Sequence, residues 1–334
     1  MIIQLNKDNQ KQGYLQLEGK LKELKIDYYP VDTQINKYLI CSSKDEFDIR
    51  KIGHMKGIAD VHRVSGKHKL VSSKWKVDRT VIDCGDGVLF GDNKLTMMAG
   101  PCSIEDEDQI RDTIEVLVRN NVKIMRGGVY KPRTSPYSFR GLGMDGLKIF
   151  YKACRENGIK IITEVMESSQ IELMLPYVDI FQVGARNSQN FNLLEALGQV
   201  DKPVMLKRGI SGSIDELLYS AEYVFKSGNE KILLCERGIR TFENSYRNTL
   251  DLNAVPILKE KSHLPVIVDP SHGIGVRRHV IPMALAGAAV GADGLLVEIH
   301  KTPEKAATDG QQTLDFKEFE ILMSKLNSIT NALE

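Results

Sequence analysis

Eight short apolar runs recur between residues 95 and 300, and each ends in, or one step from, a residue able to hold a metal ion or an anion. In order they are LTMMAGPC, ending at Cys102; VKIMR, at Arg126; IKIITE, at Glu164; DIFQVGAR, at Arg186; PVMLK, at Lys207; KILLCER, at Arg237; PVIVDPSH, at His272; and GLLVE, at Glu298. Strands of a parallel sheet are covered on both faces, so they read as unbroken Val/Ile/Leu runs rather than as alternation. Helix-length segments separate them, expected at 107–120, 146–157, 169–175, 190–197, 213–227, 250–260 and 276–289, with a last amphipathic one at 315–333. Eight such units close into a (β/α)8 TIM barrel, which gathers its strand ends, and its chemistry, at one mouth. The barrel is expected over residues 81–334, opened by a β-hairpin around Gly85-Asp86-Gly87, since Asp-Gly is a strong hairpin turn.

With 334 residues the chain exceeds the roughly 250 that such a barrel needs. The surplus is N-terminal and has another rhythm: MIIQL, a helix expected over 10–25, IDYYPV, KYLICS, a short helix over 46–55, then IADVHRV. That βαββαβ order predicts a small ferredoxin-like α+β domain over residues 1–65. The polar, basic stretch after it, SGKHKLVSSKWK within residues 65–80, reads as a solvated linker, bounded at 66–80.

Composition excludes several classes. Lys+Arg 45 against Asp+Glu 44 leaves a net charge of +1, so no global basic field draws the chain to nucleic acid or an anionic membrane. The longest apolar stretch, 281–290, is far short of the ~20 residues that cross a bilayer. Five scattered cysteines without a C-x-x-C pair fit neither a disulfide framework nor a zinc ribbon, and with no signal-peptide pattern a cytoplasmic location is expected.

Cys102, His272 and Glu298 fall at the ends of strands one, seven and eight, neighbours around a closed barrel, and Asp309 follows in the loop KTPEKAATDG. A lone Cys in an apolar strand is ordinarily a small buried hydrophobe. Thiolate, imidazole and two carboxylates brought together by topology instead suit a borderline divalent ion: manganese, iron(II) or zinc. Arg126, Lys131, Arg133, Arg186, Lys207 and Arg237 also lie at or just after strand ends. Singly each could be a surface side chain. Six around one mouth repel one another unless a multiply anionic substrate neutralises them, and Arg forks bind phosphate and carboxylate bidentately. The loop Lys131-Pro132-Arg133-Thr134-Ser135 adds a second phosphate-binding cluster, and 137–143 is long enough to cover a substrate. Two anionic substrates beside a metal suggest joining chemistry rather than hydrolysis.

At AGPCS, GGVYKPRTSPYSFRGLG, QVGARN, LKRG, DPSHG and the 298–309 segment the chain resembles the 3-deoxy-D-arabino-heptulosonate 7-phosphate (DAHP) synthases, in their short bacterial form with an N-terminal ferredoxin-like regulatory domain. The resemblance covers residues 80–334. It implies condensation of phosphoenolpyruvate with erythrose 4-phosphate, the first step of the shikimate pathway, with Cys102, His272, Glu298 and Asp309 as ligands of a Lewis-acidic metal. Arg186, Lys207 and Arg237, helped by Arg126 and Lys131, would hold phosphoenolpyruvate; Arg133, Thr134 and Ser135 would anchor the sugar phosphate. Glu164 would also contact substrate, and Lys131, Cys102 and His272 would take part in catalysis. By the same resemblance the N-terminal domain would bind tyrosine or phenylalanine and close over a neighbouring subunit's barrel in a homotetramer. The related 3-deoxy-D-manno-octulosonate 8-phosphate synthases typically carry Lys-Ala-Asn-Arg-Ser where this chain has Lys131-Pro132-Arg133-Thr134, which favours the four-carbon aldose. A non-catalytic phosphometabolite sensor is the remaining alternative, and an intact Cys102 and His272 argue against it.

Overall fold

The computed structural model of the chain describes residues 1–6, 10–42, 48–64, 66, 68–132, 135 and 137–333. The N-terminal unit runs β1 (Ile2–Leu5), α1 (Gln10–Glu23), β2 (Asp27–Asp32), β3 (Lys37–Ser42), α2 (Arg50–Gly53) and β4 (Ile58–His62), in one antiparallel sheet ordered β2-β3-β1-β4. Strand side chains alternate between faces. Here Ile3, Leu5, Leu39 and Cys41 therefore meet Leu17 and Leu21 of α1, while Ile2, Tyr38 and Ile40 join the core of the barrel. The helix expected at 46–55 is seen as α2; residues 43–47 lie outside the described residues.

A hairpin, β5 (Ile82–Asp83) and β6 (Leu89–Phe90), precedes eight parallel strands: β7 (Thr96–Gly100), β8 (Ile124–Arg126), β9 (Lys160–Val165), β10 (Ile180–Val183), β11 (Val204–Lys207), β12 (Ile232–Glu236), β13 (Val266–Val268) and β14 (Gly294–Glu298). Each pairs with the next, and β14 pairs with β7 to close the barrel. Outside lie α3 (Glu107–Arg119), α4 (Gly143–Glu156), α5 (Ile171–Met174), α6 (Phe191–Gly198), α7 (Ile214–Lys226) and α8 (Ala254–Lys261). They are followed by α9 (Pro270–Ile274), α10 (Arg277–Ala289) and α11 (Phe316–Leu333).

The lumen is filled by Met98, Ile124, Ile162, Ile180, Met205, Leu233, Ile267 and Leu296, which cluster with Ile82, Val88 and Phe90 of the hairpin. The hairpin plugs the end where strands begin: Asp86 Oδ2 sits 2.5 Å from Lys160 Nζ, and Thr96 Oγ1 donates to the carbonyl of Leu89 at 2.7 Å. Because alternate residues face inward, the next position along each strand faces the lumen one layer higher. Those positions are Gly100, Arg126, Glu164, Gln182, Lys207, Arg237 (following Cys235), Asp269 and Glu298.

Two local expectations differ from the structure. The run PVIVDPSH is not strand throughout: β13 stops at Val268, and Asp269 caps α9 by accepting from the His272 amide at 3.0 Å. Asp followed by Pro is a helix-start pair, which outweighs the preceding apolar run. The segment after the N-terminal domain is also no solvated connector. Leu70, Val71 and Trp75 are buried, Trp75 Nε1 donates to the carbonyl of Leu70 at 2.8 Å, and the Glu222 carboxylate accepts from the amides of Lys69, Leu70 and Val71.

The N-terminal domain docks at the same end of the barrel as the hairpin. Buried Glu230, two residues before β12, accepts from Thr33 Oγ1 at 2.5 Å, Tyr38 OH at 3.1 Å and Asn36 Nδ2 at 3.2 Å. Among the described residues, none of the N-terminal domain lines the mouth of the chain's own barrel.

Candidate active site

The polar layer of the lumen holds two connected groups. In the first, Cys102, His272, Glu298 and Asp309 each present one ligand atom, and these atoms all lie within 4.8 Å of one another. Cys102 follows β7 by two residues and its Sγ is 3.1 Å from Asp309 Oδ2. His272, on α9, puts Nε2 3.3 Å from Glu298 Oε1, and its Nδ1 lies 2.8 Å from Asp269 Oδ2. Glu298 ends β14, where Arg126 Nη1 approaches Oε1 at 3.0 Å and Gln312 Nε2 donates to Oε2 at 2.7 Å.

Charges this dense perturb one another. Burial raises the Glu298 pKa, but the His272 and Arg126 charges outweigh it and hold the carboxyl below its ordinary value. Asp309 is likewise opposed by burial yet is drawn down to about 2 by His272 and Arg247. Burial and the Glu298 charge push the Cys102 thiol up to about 12. A divalent cation among these groups reverses the last effect, because a coordinated thiol is deprotonated. Soft sulfur, imidazole and two ionised carboxylates fit a borderline divalent ion, so the donor set passes on its chemistry.

The second group is a cavity whose wall carries six cations, Arg126, Lys131, Arg186, Lys207, Arg237 and Arg247, together with Glu164, His272 and Asp309. Lys131 joins the two groups: its Nζ donates to Cys102 Sγ and to the Cys102 carbonyl, each at 3.1 Å. Lys207 Nζ is 2.6 Å from the fully buried Asp269. One carboxylate thereby fixes both a cavity lysine and the imidazole of His272. Buried pairs of this kind are poor sources of net stability, since desolvation consumes most of the attraction. Their value here is placement. Gly184 of the QVGAR run makes room for Glu164: a Cβ there would stand 2.0 Å from Glu164 Oε1.

Of the residues anticipated from sequence, Cys102, Arg126, Lys131, Glu164, Arg186, Lys207, Arg237, His272, Glu298 and Asp309 meet at this mouth. Arg133 and Thr134 lie outside the described residues, and Ser135 is exposed, its Oγ accepting from the Tyr137 amide at 3.4 Å. Sequence reasoning missed Asp269, Gln182, Arg247 and Gln312. Asp269 was findable as the cap in Asp-Pro-Ser-His. Arg247 and Gln312 sit in connections without periodicity and gave no signal.

Comparison with known proteins agrees with the geometry. A family described as the DAHP synthetase I family matches residues 75–334. A phospho-2-dehydro-3-deoxyheptonate aldolase of Thermotoga maritima is 50% identical over 276 residues, covering 83% of this chain and 81% of that protein. A 2-dehydro-3-deoxyphosphooctonate aldolase of Syntrophobacter fumaroxidans is 33% identical over 261 residues, or 73% of this chain and 90% of that protein. Among solved structures, the Thermotoga maritima phospho-2-dehydro-3-deoxyheptonate aldolase (DAHP synthase) superposes with a TM-score of 0.80 at 42% identity, over 99% of this chain and 97% of its own. A truncated form of 3-deoxy-D-arabino-heptulosonate 7-phosphate synthase from Thermotoga maritima gives 0.75 at 46% identity, over 80% of this chain and 98% of its own.

Proposed function

From the premise that this chain belongs to the DAHP synthetase I family, we propose that it condenses phosphoenolpyruvate with erythrose 4-phosphate and water, giving 3-deoxy-D-arabino-heptulosonate 7-phosphate and phosphate. The observation that carries the reading is the four-donor cluster opening directly into a cavity walled by six cations. Cys102, His272, Glu298 and Asp309 hold a divalent ion, with manganese, iron(II) and zinc as the candidates. When bound, that ion supplies Lewis-acid polarisation of the aldehyde.

The remaining work belongs to the chain. Arg186, Lys207 and Arg237, with Arg126 and Lys131 nearer the metal ligands, neutralise the phosphate and carboxylate of phosphoenolpyruvate. Holding two mutually repelling anions in attack geometry is worth many kcal/mol of barrier. Lys131 Nζ stands where the donor cluster meets the cavity, 3.1 Å from Cys102 Sγ, and is placed to give a proton to the aldehyde oxygen as the new carbon–carbon bond forms. Glu164, whose Oε2 accepts from Gln182 Nε2 at 3.5 Å on the cavity wall, orients the nucleophilic water or a substrate hydroxyl. Arg133, Thr134 and Ser135 would bind the aldose phosphate, with the 137–143 segment as its cover.

The N-terminal domain would bind tyrosine or phenylalanine. It docks where the strands of its own barrel begin, so it would close a mouth on another subunit, in an assembly we take to be a homotetramer. No helix of the described residues is long and apolar enough to cross a membrane, and we place the enzyme in the cytoplasm.

The test is a product assay with erythrose 4-phosphate against arabinose 5-phosphate, after chelation and after manganese is returned. Turnover of the four-carbon sugar that is lost on chelation and restored by manganese supports the reading. Turnover of only the pentose phosphate assigns the octulosonate reaction instead, and metal-free binding without turnover assigns a sensor. Aromatic amino acids added singly, to the full chain and to a chain lacking residues 1–65, test the effector. Inhibition of the former alone is expected, and indifference of both overturns regulation.

A further inference from the structure

We infer that Gln312 and Arg247 form a clamp that aims Glu298 and Asp309 at their common cation, an inference that rests on the proposed metal site. Each of the two carboxylates has one oxygen tied down outside the donor cluster and the other turned into it. Glu298 Oε2 accepts from Gln312 Nε2 at 2.7 Å, while Oε1, which also accepts from Arg126 Nη1 at 3.0 Å, faces His272 Nε2 at 3.3 Å. Asp309 Oδ1 faces Arg247 Nη1 at 3.4 Å, which leaves Oδ2 beside Cys102 Sγ at 3.1 Å. Gln312 connects the two arms, because its Oε1 accepts from the same Arg247 Nη1 at 2.6 Å.

The chemistry of position 312 is narrow. The side chain is fully buried and must donate to one carboxylate while accepting from a guanidinium. An amide does both; a carboxylate there would repel Glu298, and an apolar group would leave Glu298 Oε2 without this donor and Arg247 Nη1 with only its longer contact to Asp309. Local backbone supports the aim. Asp309 adopts a left-handed conformation, φ 51°, uncommon for a residue with a side chain. The next turn packs so closely that a Cβ on Gly310 would stand 2.1 Å from the Pro303 carbonyl oxygen. Arg247 is seated as firmly: its amide donates to the Ile274 carbonyl at 3.1 Å, and its aliphatic stem lies over Gly275, where a Cβ would approach it to 2.3 Å. Gly275 itself has φ 66°, so this seat and the C-terminus of α9, the helix carrying His272, depend on one glycine.

Arg247 also faces the cavity, whereas Gln312 does not, so Gln312 separates aiming the carboxylates from binding the substrate anion. Both act through other groups and are positioning residues. The experiment is a spectrophotometric titration of the metal-free full chain with Co²⁺ against a competing chelator, for wild type, Gln312→Leu, Gln312→Glu, Arg247→Met and Arg247→Lys. Outer partners of metal ligands typically change affinity by about 10- to 100-fold. A loss of that size is expected in both Gln312 variants and in Arg247→Met, with altered cobalt ligand-field bands and partial recovery in Arg247→Lys. Circular dichroism checks that each variant is folded, and the partly exposed Arg247 provides the test if buried Gln312 tolerates no change. Wild-type affinity and bands in Arg247→Met, or in a folded Gln312 variant, overturn the clamp. Cys102→Ser distinguishes the failures: if it alone abolishes cobalt binding, only the clamp is lost. If it too binds as wild type does, the metal site falls with the clamp.

Discussion

Two adjacent layers inside the barrel are built from the same eight strands for opposite ends. The lower, from Met98 round to Leu296, is apolar and sealed by Phe90 of the hairpin. The upper, one inward position further on, carries Arg126, Glu164, Lys207, Asp269 and Glu298, nearly all buried and all polar or charged. Filling volume stabilises the first. The second pays desolvation to hold charges where a substrate needs them, as an enzyme's mouth does while its opposite end carries stability. The difference teaches that one strand can serve both ends because a step of two residues separates them.

Substitutions should therefore divide by layer. The largest effect is expected for Cys102→Ala, which removes one of four donors: product formation should fall by more than about 100-fold, beyond what outer partners of a metal site usually cost. The metal-free thermal midpoint should scarcely move, and a marked drop would show that the upper layer also carries stability. Phe90→Ala should do the reverse. It should cost about 3–5 kcal/mol in urea unfolding while kcat per folded molecule is unchanged, and a fall in kcat would show that the layers are coupled.

A smaller, pH-dependent effect belongs to the strand-start end. His263 is buried between Thr80 Oγ1, at 2.7 Å, and the Leu70 carbonyl, at 2.9 Å, and burial lowers its pKa from 6.5 to about 3. The folded protein keeps this imidazole neutral, whereas the unfolded chain takes up a proton below pH 6.5. Stability is complete above that value and declines until the folded group also titrates near 3. At pH 5 the loss is about 2 kcal/mol. Urea unfolding at several pH values should show this slope in wild type and a flatter one in His263→Gln; equal slopes would contradict the assignment. The smallest effect expected is that of Glu230→Gln, which weakens the bonds to Thr33, Asn36 and Tyr38 by about 1 kcal/mol in total. It should hasten proteolysis between the N-terminal domain and the barrel without altering turnover.

What could be read from sequence follows the same physics. Strands buried on both faces are continuous apolar runs, so all eight were visible, and with them most site residues on or just after a strand, though not Gln182 within β10 or Asp269 directly after β13. His272 was visible too, although it lies on a five-residue helix whose Asp-Pro start was read as more strand. Burial of the 68–76 segment was hidden because Lys and Ser outnumber Leu70, Val71 and Trp75, and only the fold shows α7 offering Glu222 to three consecutive amides. Arg247 and Gln312 lie in connections whose shape is set by tertiary contacts, so no period or spacing announces them.

Anomalous diffraction from crystals of the full chain grown with Mn²⁺ and phosphoenolpyruvate would examine the convergence of donors itself. A single strong peak is expected about 2.0–2.6 Å from Cys102 Sγ, His272 Nε2 and an oxygen each of Glu298 and Asp309, the usual reach of such ligands. The phosphate should lie among Arg186, Lys207 and Arg237. A peak elsewhere, or a Cys102 sulfur outside coordination range of a cation held by the others, would contradict the account.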